Sequence, residues 1–327
     1  MKRTFYLLTV LVYAIFLSIS SGCSKNQAVS GLGDKDQRML VYTSFYTMYD
    51  FAEKIGGDRI KLQNLVPAGT EPHDWEPSPK MIAGIEKADV LIYNGAGMEA
   101  WVEDMLDSMK NKSFIVVETS KDIKLLEGYH EEHDKGHDDE SDIKNGDHEH
   151  EDSRYDPHVW LDPMNAKKQM EAIKNAFVTA DPDNAEYYET NYEENAKKLD
   201  ELNEEFWEGL SGFTKRDIVV AHKAFGYLCG AYGLNQVAIE GLNSESEPTP
   251  ARMAEIIRFA REKDIKVIFF EELISPKVAN TIAKEIGART DILNPLEGLK
   301  QEDIASGKEY FSVMRDNLEA LKKALKQ

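Results

Sequence analysis

Positive charge is scarce in this chain of 327 residues. Lys and Arg number 39 against 59 Asp and Glu, a net charge of −20 at neutral pH. That deficit excludes nucleic acid or an anionic membrane surface as the main partner, since both are held by positive charge. Cysteine is almost missing: only Cys23 and Cys229 occur, which excludes a disulfide-stapled scaffold. Beyond the N-terminal region no stretch of about eighteen consecutive apolar residues appears, the length a membrane-spanning helix needs. A His-Glu-x-x-His helix is also absent, and with it the common metalloprotease arrangement. What is present is a hydrophobic content of 42%, enough to build a sizeable core over a length that suggests two domains.

The N-terminus reads as an address. Lys2 and Arg3 precede an apolar run over 5–17, and Ser20, Ser21 and Gly22 lead to Cys23. A positive start, a short apolar stretch and small residues before a cleavage point make a secretory signal, here 1–22. The stretch resembles a bacterial lipobox, which implies that Cys23 is lipidated and becomes the mature N-terminus. Ser20 stands where that pattern usually has Leu. Residues 23–37, polar and rich in Gly and Ser, read as a tether. The protein is then exported and anchored to the cell membrane by lipid.

The rest alternates short apolar runs with helical spacing. Strands are expected at 39–43, 60–66, 90–93 and 114–117, with helices at 47–55, 79–86 and 98–109. Helices at 165–180 and 183–211 follow. A second series places strands at 218–221, 235–239, 266–270 and 291–293, and helices at 250–261, 276–286 and 302–325. Such alternation predicts α/β architecture with mostly parallel sheets. The expected layout is an N-terminal lobe over 38–182, a linking helix over 183–211 and a C-terminal lobe over 212–327. At 1.5 Å per residue the linking helix is about 40 Å long, a rigid strut. Within the first lobe, residues 127–156 carry thirteen acidic and three basic residues, 3 − 13 = −10. With almost no apolar content, this segment is expected to be a mobile loop.

Histidine placement carries the chemistry. Five of eight lie in the acidic segment: His130, His133, His137, His148 and His150. Imidazoles interleaved with carboxylates suit several weak, exchanging metal sites. The other three stand apart. His73 lies in Glu71-Pro72-His73-Asp74-Trp75, and His158 in Asp156-Pro157-His158-Val159-Trp160-Leu161-Asp162-Pro163. His222 directly follows the apolar run Ile218-Val219-Val220-Ala221. His73 and His222 occupy strand-end positions, where open α/β sheets bind ligands. Three imidazoles with one carboxylate make a four-coordinate site suited to zinc. Spacing leaves the carboxylate open among Glu271, Glu272 and Glu297. Asp156, Asp162 and Glu240 are the carboxylates considered as supports for the histidines.

Taken together, these motifs resemble the metal-specific solute-binding lipoproteins of bacterial ABC transporters, the family 9 (cluster A-I) type that captures zinc or manganese. Asn294-Pro295-Leu296-Glu297 and the 310–318 stretch near the C-terminus add to the likeness, which covers nearly the whole chain after the signal. The resemblance implies two (β/α) lobes joined by one long helix, with the metal in the interlobe cleft. It implies His73 and His158 as ligands from the first lobe and His222 and Glu297 from the second, with Glu71 in reserve. Manganese-type members tend to place Glu at the third position; here it is His222, and imidazole favours zinc. Zinc-type members often carry an acidic His-rich loop as well. The expected function is extracytoplasmic capture of Zn²⁺ and delivery to the transporter's membrane permease, by a non-enzymatic monomer. A manganese-binding component and a surface adhesin are the alternatives. A zinc hydrolase is disfavoured, because four protein ligands leave no open coordination position.

Overall fold

The computed structural model describes residues 38–109, 112–128, 154–242 and 248–326. The signal peptide, Cys23, the tether and all five histidines of the acidic segment lie outside the described residues. Two four-stranded sheets organise the chain. In the first lobe β1 (Met39–Thr43), β2 (Ile60–Asn64), β3 (Val90–Tyr93) and β4 (Ile115–Glu118) run parallel in the order β2-β1-β3-β4. In the second, β5 (Asp217–Val220), β6 (Asn235–Ala238), β7 (Val267–Phe270) and β8 (Arg289–Ile292) repeat the pattern as β6-β5-β7-β8. Because every pair is parallel, the carboxyl ends of each sheet lie along one edge. In both lobes the chain reverses its winding direction between the two central strands, the place where open sheets leave a ligand crevice.

The helices follow the apolar periodicity. α1 (Tyr46–Gly56), α2 (Pro79–Ile85) and α3 (Trp101–Ser108) belong to the first lobe, followed by α4 (Pro163–Ala180). Asp162 starts α4: its side chain accepts from the Met164 amide, and Pro163 occupies the first turn, where a missing N–H costs nothing. α5 (Ala185–Ser211) is the long connector, 27 residues with Tyr188, Ala196, Leu199, Leu202, Phe206 and Leu210 buried along one stripe. That stripe packs against α4 and against the final helix, so the strut is also part of the core. The second lobe adds α6 (Gly226–Tyr232), α7 (Pro250–Glu262), α8 (Lys277–Ile286), α9 (Gln301–Ala305) and α10 (Tyr310–Leu325).

Three local departures from the sequence reading have physical causes. The single helix expected at 302–325 is broken: Gly307 sits at φ 87°, a left-handed backbone that ends α9. Glu309 then restarts the helix with a capping box, its carboxylate accepting from the Ser312 and Phe311 amides. α6 is a helix the sequence reading leaves out, because seven nearly all-apolar residues show no helical stripe. The acidic segment has paired ends. Asp156 N–H donates to the Leu126 carbonyl at 2.9 Å and Gly128 N–H to the Arg154 carbonyl at 2.8 Å. Glu127 and Tyr155 form an antiparallel bridge between them. Among the described residues no helix is long and apolar enough to cross a membrane.

Candidate metal site

Each of the four candidate side chains leaves a loop at the carboxyl edge of a sheet or just before a helix. His73 follows β2, on a turn whose Gly69 amide donates to the Leu299 carbonyl of the second lobe at 2.9 Å. His158 precedes the single helical turn Val159–Leu161 that feeds α4. Asn94, at the end of β3, holds this loop by donating to the Pro157 carbonyl at 2.9 Å. Gln169 in turn donates to Asn94 Oδ1 at 2.8 Å. His222 leaves β5 and Glu297 follows β8.

These four come together: one donor atom from each of His73, His158, His222 and Glu297 lies within 4.8 Å of all the others. Glu297 Oε1 is 2.7 Å from His158 Nε2, 3.3 Å from His222 Nε2 and 3.4 Å from His73 Nε2. The Nε2 atoms of His158 and His222 are 3.4 Å apart. Ligands at about 2.0–2.1 Å on a tetrahedral centre are separated by about 3.3 Å. The cluster is therefore close to the spacing that a tetrahedral ion needs. His158 and His222 are fully buried and Glu297 is 2% exposed, so any ion held here is cut off from bulk water.

On His158 and His222 the ring nitrogens facing away from the cluster are engaged. Asp156 Oδ1 lies 2.8 Å from His158 Nδ1 and also accepts from the His158 amide at 3.0 Å. Glu271 makes a short contact with His222 Nδ1. A carboxylate on Nδ1 keeps the proton there, orients the ring and leaves Nε2 to bind metal. Of the three supports that the sequence suggests, Asp156 lies on a histidine. Asp162 caps α4, and the Glu240 amide donates to the Ala221 carbonyl. Glu271, one of the three carboxylates left open by spacing, lies on His222 Nδ1 rather than in the four-residue cluster. Glu272 faces Asn294 Nδ2 at 3.4 Å and Lys308 at 3.9 Å. The signal that could have separated these roles is the parity of a strand end, where adjacent residues point to opposite faces.

Electrostatics agree with a site built for a cation. Burial alone would lower the pKa of His158, but hydrogen bonds to Asp156 and Glu297 outweigh it and raise it to about 9. His222 is likewise buried, yet the charges of Glu271 and Glu297 hold it well above the usual imidazole range. Burial opposes ionisation of Glu297, but the three surrounding histidines, His222 first, hold it well below the usual carboxylate range. The raised imidazoles and the lowered carboxylate are two sides of one attraction, each favouring the charged form of the other. Glu71 behaves differently. Burial and the charge of Glu297 push it up to about 9, and its carboxyl lies 4.0 Å from His73 Nε2.

Glu297 owes its position to the Asn-Pro-Leu-Glu turn. Leu296 has φ 62°, unusual for a non-glycine residue, and its amide donates to Asn294 Oδ1 at 2.8 Å. The preceding carbonyls are claimed by the first lobe. Trp160 Nε1 donates to the Pro295 carbonyl at 2.7 Å, and the Thr47 hydroxyl donates to that of Leu296. Glu297 thus follows a strand of the second lobe but is fastened to the first.

The comparison with known proteins bears on this geometry. Residues 41–324 match the family described as zinc-uptake complex component A, periplasmic (ZnuA). The chain is 42% identical over 315 residues to the high-affinity zinc uptake system protein ZnuA of Bacillus subtilis, covering 96% of each chain. It is 40% identical over 301 residues to the zinc-binding lipoprotein AdcA of Streptococcus pneumoniae. That match covers 92% of this chain but only 58% of AdcA. The crystal structure of the Zn(II)-bound ZnuA-like domain of that AdcA superposes with a TM-score of 0.74 at 38% identity, covering 89% of this chain and 100% of the domain.

Proposed function

The chain belongs to the zinc-uptake complex component A family, and from that premise we propose that it captures Zn²⁺ outside the cytoplasmic membrane and delivers it to an ABC-transporter permease. The observation that carries this reading is the convergence of three imidazole Nε2 atoms and one carboxylate oxygen, with Nδ1 of His158 and of His222 each held by a carboxylate. His73, His158, His222 and Glu297 are the proposed ligands, and Zn²⁺ is cargo. Imidazole at three of four positions favours zinc over manganese, which prefers oxygen-rich sites. Four protein ligands leave no coordination position for substrate, which supports a carrier rather than a hydrolase.

The remaining assignments belong to the same proposal. Residues 1–22 direct export, Cys23 carries lipid and 23–37 tether a monomer to the membrane. The lobes extend over 38–182 and 212–327 and are joined through 183–211. The histidines of the acidic segment, His130, His133, His137, His148 and His150, supply weaker auxiliary sites.

Calorimetric titration with Zn²⁺, with Mn²⁺ as competitor, tests the reading on the wild type and on His222→Ala. One tight zinc site that collapses in the variant and resists manganese is expected. Weak sites alone, unchanged by the substitution, would sink it.

A further inference from the structure

Tyr227 is not one of the four proposed ligands, yet its hydroxyl spans the two lobes. It donates to the Asp156 carbonyl at 2.9 Å and accepts from the Leu126 amide at 2.9 Å. Both partners belong to the first lobe, at the paired neck of the acidic segment, whereas Tyr227 lies on α6 of the second. The ring is buried, and that burial pushes the hydroxyl up to about 12, so it keeps the proton it donates. Asp156 is the residue whose carboxylate holds His158 Nδ1. Its other oxygen, Oδ2, packs against the Cα of Gly226, the residue before Tyr227, where a Cβ would collide with it. One carboxylate is therefore fixed from two sides. Its backbone is clasped by a second-lobe hydroxyl, and its second oxygen rests in a hollow that the missing Cβ of Gly226 leaves open.

Accepting that the cluster holds zinc, we infer that Tyr227, with Gly226, is a positioning residue for the metal: it sets Asp156, and through Asp156 the ring of His158, only when the second lobe is docked. The consequence is a directional coupling. His158 comes from the first lobe, but its orientation depends on the second. If the lobes part, Asp156 loses the clasp, and the carboxylate that fixes the tautomer and angle of His158 is left held by the His158 amide. Release of the ion is then aided by slackening one of its ligands as well as by separating His222 from the rest. Trp160 and Thr47 fasten the Glu297 turn to the first lobe, so the two lobes position each other's ligands in both directions.

The test uses the full chain in detergent with Co²⁺ as a spectroscopic probe and Zn²⁺ as cargo. Tyr227→Phe keeps the ring and removes the hydroxyl. The inference expects a changed Co²⁺ d–d spectrum and zinc release to a chelator about three- to tenfold faster, the effect of one lost hydrogen bond. Gly226→Ala reaches Asp156 by crowding rather than by a hydroxyl, and should shift the spectrum as well. Tyr227→Phe combined with Asp156→Asn should release zinc little faster than Asp156→Asn alone, because both act through one carboxylate. An unchanged spectrum and release rate in Tyr227→Phe, even with a lower melting temperature, would overturn the inference. Additive effects in the double variant would do the same. Those outcomes leave the zinc reading intact as long as the wild type binds both ions tightly. A wild type that binds neither removes both.

Discussion

The hydroxyl of Thr47, on α1 of the first lobe, donates to the carbonyl of Leu296, the residue immediately before Glu297. The contact is buried and spans 249 residues of sequence. It fastens a ligand-bearing turn of one lobe to the first helix of the other. Thr47→Val keeps the shape but leaves a buried carbonyl without its donor. Loss of about 1–3 kcal/mol of stability is expected. Thermal unfolding of metal-free and zinc-loaded protein measures it, and an unchanged melting temperature in both forms would show that the contact carries no weight.

Removing a proposed ligand should be far more damaging. His222→Ala or Glu297→Ala is expected to weaken zinc binding by more than the roughly 10–100-fold typical of losing a supporting partner. Titration against a competing chelator of known affinity reads the change. A variant that binds within about tenfold of wild type would remove that residue from the ligand set.

The two supporting carboxylates make an independent prediction. Asp156→Asn and Glu271→Gln preserve size but replace the anion on Nδ1. Each should reduce zinc affinity by about 10–100-fold while stoichiometry stays at one tight site. If Glu271 were a ligand rather than a support, Glu271→Gln would instead match Glu297→Ala in severity.

Protonation gives the site a signed pH dependence. With His158 raised to about 9 and His222 also raised, both carry protons at neutral pH that zinc must displace. Zinc binding should release protons to the buffer, and apparent affinity should rise about tenfold per pH unit for each proton displaced, up to pH about 9. Titrations in buffers of different ionisation enthalpy count those protons; a count of zero would contradict the proton-filled metal-free site. The same shift acts on folding. A raised imidazole pKa stabilises the metal-free protein fully below about 6.5, and that contribution disappears as pH climbs through about 9. The lowered pKa of Glu297 acts in the opposite sense: its contribution is present above the ordinary carboxylate range and is lost as pH falls through its folded value. Metal-free protein should lose melting temperature between pH 6.5 and 9, whereas zinc-loaded protein should not show that loss.

The acidic segment can be tested by shortening. Its neck is closed by the 126–128 and 154–156 pairing, so a deletion confined to 131–150 leaves Asp156 and His158 anchored. The tight site should survive within about threefold, a change smaller than one hydrogen bond, while the weaker zinc sites vanish from the titration. Loss of the tight site would show that the segment contributes ligands to the cleft.

Much of this protein is local in origin. Short β-rich runs and helical spacing predicted the eight strands and most helices of the described residues to within a few positions, because alternation and periodicity are set by neighbours along the chain. The proposed export signal over 1–22 and tether over 23–37 are readings of the sequence alone. The three isolated histidines also stood out without coordinates, since strand-end and proline-flanked positions are legible one segment at a time. Residue chemistry by itself left Glu271, Glu272 and Glu297 equivalent, and the family resemblance made the choice. Only the folded chain gave that choice a physical basis. Glu297 reaches the three Nε2 atoms because Leu296 turns left-handed and Thr47 and Trp160 hold the turn, whereas Glu271 comes off β7 on the far side of His222. The clasp of Tyr227 on Asp156 had no sequence signature either. It depends on two lobes meeting across 71 residues, and contacts of that kind are decided by packing between surfaces rather than by the pattern within any one of them.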